Sequence, residues 1–193
     1  MKDDKGEQKE VVVDMDDGVR PETNLEGLAK LKPAFDKKAG TTTAGNSSQV
    51  TDGAAVVLLC RRDIANKLGC KIYGRIVSYA AAGVPPKVMG IGPAFAIPAA
   101  LKKAGLQIND IDIFEINEAF ASQAAYCVKK LGVPKEKLNP RGGAIALGHP
   151  LGMTGARMIV TLFHELERTG KKRGLVSMCI GTGMGACGVF ERE

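Results

Sequence analysis

The sequence contains two histidines and five cysteines, the side chains best suited to act as a neutral-pH base and as thiol nucleophiles. One histidine, His149, lies in the stretch Gly142 to Arg157, which holds five glycines and places Pro150 directly after the imidazole. Glycines on both sides let the backbone approach a ligand closely, and Pro150 stiffens the peptide behind the ring. An imidazole presented this way suits proton transfer. Taken alone, His149 reads more simply as an ordinary loop histidine. His164, between Phe163 and Glu165 in a helical pattern, is assigned no role.

Cys179 stands in Ser177-Met178-Cys179-Ile180-Gly181-Thr182-Gly183-Met184-Gly185, where a strand pattern runs into glycines. Strand ends in α/β sheets are where sites are built, and the amides that follow can point at an oxyanion. The alternative is a core cysteine, which is how Cys187 is read. Asn117 marks a strand-to-helix junction before Glu118-Ala119-Phe120-Ala121. Its amide either caps the helix or holds a water in a site, and local sequence favours capping. Glu118 fits stabilisation of the helix dipole. We expect the two glycine-rich loops to meet and bring His149 to Cys179.

None of these spacings is a zinc, P-loop or dinucleotide signature. The glycine run Gly181 to Gly185 lies between two strands, whereas a phosphate loop opens a helix. The cysteines (Cys60, Cys70, Cys127, Cys179, Cys187) are odd in number with no CxxC pair, which speaks against a disulfide framework and for reduced thiols in an intracellular compartment.

The elements that must hold these residues follow from periodicity. Val11-Val12-Val13 is a short strand candidate, and Thr23 to Leu31 a short helix or turn. Residues 41–53 are a polar loop. Ala54 to Leu59 is a buried strand or helix, which periodicity cannot separate. Arg61 to Leu68 reads as a helix stopped by Gly69. Strands are predicted at Ile72–Ala82, Asp110–Ile116, Leu175–Ile180 and Ala186–Phe190. Helices are predicted from Gly92-Pro93 to Gly105 with Pro98 inside, from Asn117 to Leu131, and from Thr154 or Gly155 to Gly170. The order is that of an α/β layered domain with a mixed sheet.

Composition excludes several classes. Net charge is +6 overall, −2 over residues 1–40 and +8 over 41–193. The basic residues fall on helix faces and turns, aromatics are 5%, and there is no stacking motif, so no nucleic-acid partner is expected. No apolar run approaches the ~18 residues of a membrane span. The charged N-terminus is not a secretory signal, and Glu191-Arg192-Glu193 is not a Ser-Lys-Leu-type address.

Taken together, four ordered motifs resemble the thiolases: Thr43-Ala44-Gly45-Asn46-Ser47-Ser48-Gln49 through Asp52-Gly53-Ala54, Asn117-Glu118-Ala119-Phe120-Ala121, Gly143 through Arg157 with Gly148-His149-Pro150, and Cys179 through Gly185. The wording Glu115 to Gln123 and Ser177-Met178-Cys179 is most similar to 3-ketoacyl-CoA thiolases of the peroxisomal type. The resemblance implies thiolytic cleavage of a 3-ketoacyl-CoA by coenzyme A, in fatty-acid β-oxidation. Coenzyme A enters as substrate, with no resident cofactor and no metal. By the resemblance His149 activates a nucleophilic cysteine and lines an oxyanion hole, in which Asn117 holds a water. Cys179 protonates the departing enolate and then deprotonates the incoming thiol. The Gly181 amide serves a second oxyanion hole, and Ser48 lies near the pantetheine of CoA.

The resemblance also implies a layered αβα half with a five-stranded mixed sheet plus incomplete N-terminal remnants. Residues 1–47 match the tail of a loop domain, 48–69 the last strand and helix of an N-terminal half, and 70–193 a C-terminal domain. A peroxisomal location and a homo-oligomer are implied for the full-length enzyme, with the targeting segment outside this chain and no membrane partner. The Cys-Ser-Ser/Ala-Gly type of segment that carries the family's nucleophilic cysteine has no counterpart in these residues, so the chain alone is expected to be inactive. Two other readings remain: a non-catalytic half-thiolase that binds another subunit or CoA, and a cysteine hydrolase built on Cys179 and His149.

Overall fold

The β-branched and alternating runs assemble into one mixed sheet. The structure is a computed structural model and describes Gly6, Gln8, Glu10, Val12, Asp14 and residues 18–193. The chain forms two compact units, residues 1–31 and 32–193. In the first, α1 (Leu25–Ala29) is started by Asn24, whose side-chain oxygen accepts from the Gly27 amide at 2.8 Å. Val11 and Val13 of the strand expected there lie outside the described residues.

The second unit holds β1 (Gly74–Gly83), β2 (Ile113–Ile116), β3 (Arg173–Ile180) and β4 (Met184–Arg192). Their order is β1-β4-β3-β2, with β2 and β3 parallel and the other neighbours antiparallel. The α/β class with a mixed sheet is as expected, but the sheet has four strands where the resemblance implied five. The reason lies at the β2 edge. There Leu138 makes a single parallel bridge to Phe114. Asn139 then replaces a strand with its side chain: its Oδ1 accepts from the Ile116 amide and its Nδ2 donates to the Ile116 carbonyl, each at 2.9 Å. Ile116 is satisfied without a fifth ladder.

Ala54–Leu59 also departs from expectation. It has no regular secondary structure, and Val56, Leu58 and Leu59 are 86%, 81% and 67% exposed. A strand needs a neighbour to take its backbone groups, and no strand of the sheet pairs with this segment. It leads into α2 (Arg62–Lys67), where Arg62 pairs with Glu193.

Helices cover both faces of the sheet. The alternation that marks β2 as a strand sends Phe114 and Ile116 toward α3 (Pro93–Ala104), where they pack with Ala96, Ile97, Ala100 and Leu101. Cys187 and Val189 of β4 join that cluster, as does Val128 of α4 (Ala121–Leu131). Ile113, Val176 and Phe190 point the other way, onto Met158, Leu162 and Leu166 of α6 (Thr154–Thr169). Pro98 sits exposed on α3 and does not end it. The helices stop at the expected Gly105, Gly132 and Gly170, all left-handed. One helix was not expected: the short α5 (Ala144–Leu147) inside the loop that carries His149.

Candidate active site

The site forms where β2 and β3 end side by side. Register puts Ile116 beside Ser177, and the Asn117 amide donates to the Ser177 carbonyl at 2.9 Å, carrying the parallel pairing one step past the strand. From the other side, Gln123 of α4 donates from Nε2 to the Asn117 carbonyl at 3.2 Å. Asn117 is thus fixed at both backbone groups and buried. It is not the helix cap that local sequence favoured. α4 begins four residues later, at Ala121, and the Gln123 side chain takes the Phe120 amide at its start.

The freed Asn117 side chain meets His149. Asn117 Nδ2 lies 3.1 Å from His149 Nε2, and His149 Nδ1 lies 2.7 Å from Thr154 Oγ1. Thr154 donates its own proton to the Pro150 carbonyl at 2.8 Å. That direction makes the Thr154 oxygen the acceptor for Nδ1–H, so the Asn117 amide donates to an unprotonated Nε2. Burial, and then the nearby Arg157 cation, lower the imidazole below its ordinary value. His149 is therefore set up as a neutral base with its lone pair on Nε2.

Local structure places that ring. Gly148 has φ of +86°, a conformation that favours glycine, and it turns the chain out of α5 toward His149. The His149 amide then donates to the Gln49 carbonyl at 3.2 Å. Glu118 anchors the other end of the loop, accepting from the Ile145 amide at 3.4 Å and from Asn139 Nδ2 at 3.1 Å. Asn117 and Glu118, adjacent in sequence, thus hold the two ends of one loop.

Ser48 joins the same edge. Its amide and its hydroxyl both donate to the Ala119 carbonyl at 3.0 Å, beside a bridge between Ser47 and Phe120. Cys179 lies near the end of β3 opposite Gly185 of β4, two residues beyond the Ser177 that holds Asn117. Among the described residues no hydrogen bond joins Cys179 to His149. Burial pushes the Cys179 thiol up, which is the opposite of the acidic thiolate that a cysteine hydrolase needs. Cys187 is pushed up to about 12 by burial. Gly181 is exposed and opens the hairpin turn between β3 and β4, a turn completed by Thr182 and Gly183 with positive φ and pinned by the Val84 amide on the Gly183 carbonyl at 2.9 Å.

Thr154, Gln123 and Asn139 were missed in the sequence, as was the ion pair of Glu115 with Arg157 at 3.7 Å. Thr154 carried a faint signal, a hydroxyl at a helix start close behind a loop histidine. Among the described residues no group of three or more His, Cys, Asp or Glu side chains could hold a metal ion.

Comparison with known proteins bears on this arrangement. The family model described as thiolase, C-terminal domain, matches residues 70–192, and that described as thiolase, N-terminal domain, matches residues 1–63. The chain is 70% identical to the rat (Rattus norvegicus) protein named 3-ketoacyl-CoA thiolase B, peroxisomal, over 98% of this chain and 45% of the relative. The dimeric peroxisomal thiolase of Saccharomyces cerevisiae superposes with a TM-score of 0.86 at 59% identity, over 92% of this chain and 45% of that one. Human mitochondrial 3-ketoacyl-CoA thiolase in complex with CoA superposes with a TM-score of 0.84 at 45% identity, over the same shares. The chain spans about half the length of the curated relatives it matches.

Proposed function

The chain belongs to the thiolase family, and on that premise we propose that it is the C-terminal part of an acyltransferase, a 3-ketoacyl-CoA thiolase of peroxisomal fatty-acid β-oxidation. The observation that carries the reading is the His149 imidazole, held neutral between Asn117 and Thr154 with Nε2 free of its proton. The names of the similar proteins support the substrate and the compartment.

In this reading the nucleophilic cysteine comes from an N-terminal half. The Asn117 amide gives up the Nε2 lone pair, His149 Nε2 takes the cysteine's proton, and the thiolate attacks the 3-keto carbon of the substrate. The negative charge that develops on that oxygen is met by the imidazolium and by a water held at Asn117. The C2–C3 bond then breaks, leaving an acyl-enzyme and the enolate of acetyl-CoA. Cys179 protonates the enolate at C2, and the Gly181 amide stabilises the charge on its thioester oxygen. The Cys179 thiolate takes the proton of an incoming CoA thiol, CoA sulfur attacks the acyl carbon, and the nucleophilic cysteine leaves and recovers its proton from the His149 imidazolium. The raised Cys179 thiol suits this use, since a strong conjugate base is what deprotonates another thiol. Ser48 lies along the CoA pantetheine.

The division proposed for the chain is a loop-domain remnant at 1–47, the last piece of an N-terminal half at 48–69, and a C-terminal domain at 70–193, supported by family matches to 1–63 and 70–192. A homo-oligomer is proposed for the full-length enzyme, supported by the dimeric yeast relative.

The test is thiolysis of acetoacetyl-CoA, followed by loss of its enolate absorbance. The purified 193-residue chain is expected to give no turnover, and co-expression with a cysteine-bearing N-terminal half to restore it in a Cys179-dependent way. Turnover by the chain alone that needs Cys179 overturns the reading.

A further inference from the structure

Beneath the row Asn117–His149–Thr154 lies a second row made by the same two elements. β2 supplies Glu115 two residues before Asn117, and α6 supplies Arg157 three residues after Thr154. These are the spacings that keep side chains on one face of a strand and of a helix. The Glu115 side chain is 1% exposed and that of Arg157 18%, with Nη1 3.7 Å from Oε2. The pair is in contact without a hydrogen bond, and Glu115 Oε1 and Arg157 Nη1 have no hydrogen-bond partner among the described residues. A buried pair in that state is a poor source of stability, so packing alone gives no reason for it.

Its surroundings give a reason. His149 is held by Asn117, just past β2, and by Thr154 of α6. Arg157, three residues on along the same helix face, adds its cation to the effect of burial in disfavouring a charged ring. Glu115 faces Arg157, Glu118 just past β2, and Glu165 farther along α6. Glu165 is already engaged by Arg141 and Arg168, and β3 offers only Val176 opposite Glu115.

We propose that Arg157, lying beside Glu115, is an electrostatic positioning residue that helps keep His149 as the free base, acting in full where Glu115 is uncharged. When Glu115 is ionised, the pair presents little net charge to the ring. When Glu115 is protonated, the guanidinium is uncompensated and repels an imidazolium. Burial lifts Glu115 to about 7 against the pull of Arg157, above the lowered range of His149, so the guanidinium is uncompensated where the ring titrates. The inference rests on the reading of His149 as the base that accepts a thiol proton.

The chain has only two histidines, so ring NMR of the full chain follows His149 directly with the exposed His164 as internal reference. Arg157→Gln is expected to raise the His149 midpoint by about half a pH unit or more. Arg157→Lys should stay near the parent value, and so should Glu115→Gln, since Glu115 is already protonated where His149 titrates. An unmoved His149 midpoint in folded Arg157→Gln overturns the proposal, as does a midpoint in Arg157→Lys as high as that in Arg157→Gln, which marks a packing role. If Arg157→Gln does not fold, Arg157→Met decides, and a His149 midpoint unmoved in it overturns the proposal too. The readout needs no turnover, so failure here leaves the thiolase reading standing, and failure of thiolysis leaves this one standing.

Discussion

Asn117 Nδ2 and His149 Nε2 meet at 3.1 Å across thirty-two residues of chain. The contact ties the end of a sheet strand to a glycine-rich loop that carries no regular strand or long helix of its own. It fixes which imidazole nitrogen faces the sheet edge and which faces Thr154.

Asn117→Ala removes the donor at Nε2 and the group proposed to hold a water beside the reacting oxygen. In the enzyme restored by an N-terminal half, kcat should fall by about 10²–10³-fold with a smaller change in KM. The urea midpoint of the chain should report a loss of about 1 kcal/mol.

Thr154→Val keeps the shape of the residue but removes the hydroxyl that accepts from Nδ1–H and donates to the Pro150 carbonyl. Ring ¹⁵N shifts should move from a single Nδ1–H tautomer toward a mixture, and stability should drop by about 1–3 kcal/mol. Thr154→Ser should restore both. A Thr154→Val ring that keeps the parent tautomer would sink the assignment.

Two buried carboxyls give the stability profile opposite slopes. Arg168 and then Arg141 hold Glu165 down at about 2. Its folded pKa is below the usual 4.5, so its contribution is present above pH 4.5 and lost as pH falls toward 2. Glu115 is raised to about 7, so its contribution is full below pH 4.5 and lost as pH rises through 7. Urea midpoints should therefore fall less between pH 5 and 8 in Glu115→Gln than in the parent, and less below pH 4.5 in Glu165→Gln.

The thiols should separate into two classes. Cys60 and Cys70 are exposed, whereas Cys127, Cys179 and Cys187 are buried with their thiols pushed up. Iodoacetamide at neutral pH should label the first pair quickly and the other three slowly, as read by peptide mass spectrometry. Rapid labelling of Cys179 in the folded chain would contradict the burial described for it.

Gly185 pairs with Cys179 across the hairpin and packs against the backbone of Gly92 at the start of α3. A methyl there would strike main chain, which cannot swing aside as a side chain does. Gly185→Ala is expected to cost about 1–3 kcal/mol and to speed alkylation of Cys179, with the melting midpoint and the same labelling assay as readouts.

The helices and strands of residues 72–193 were legible because their signals are local. Gly105, Gly132 and Gly170 ended three helices as read, and alternation found β2 within three residues of its start. Asn117 was less legible. Its capping signal is local, while the histidine that claims its amide lies far along the chain. The same holds for Glu115, which reads as the polar side of a strand and is buried by a helix that begins thirty-nine residues later. Ala54–Leu59 failed for another reason: apolar, β-prone sequence becomes a strand only when a neighbour supplies the ladder, and none of the four strands does so.

Asn139 gives the sheet something beyond a closed edge. β2 is four residues long, and such a short parallel strand could slide by one position at little backbone cost. A slide of one residue would turn Glu115 away from α6 and carry Asn117 off His149. Asn139 addresses both backbone groups of the single residue Ile116, so only one register satisfies it. A side chain on the outer edge of β2 acts as a locating pin for the contact of Asn117 with His149, to which it is not itself bonded.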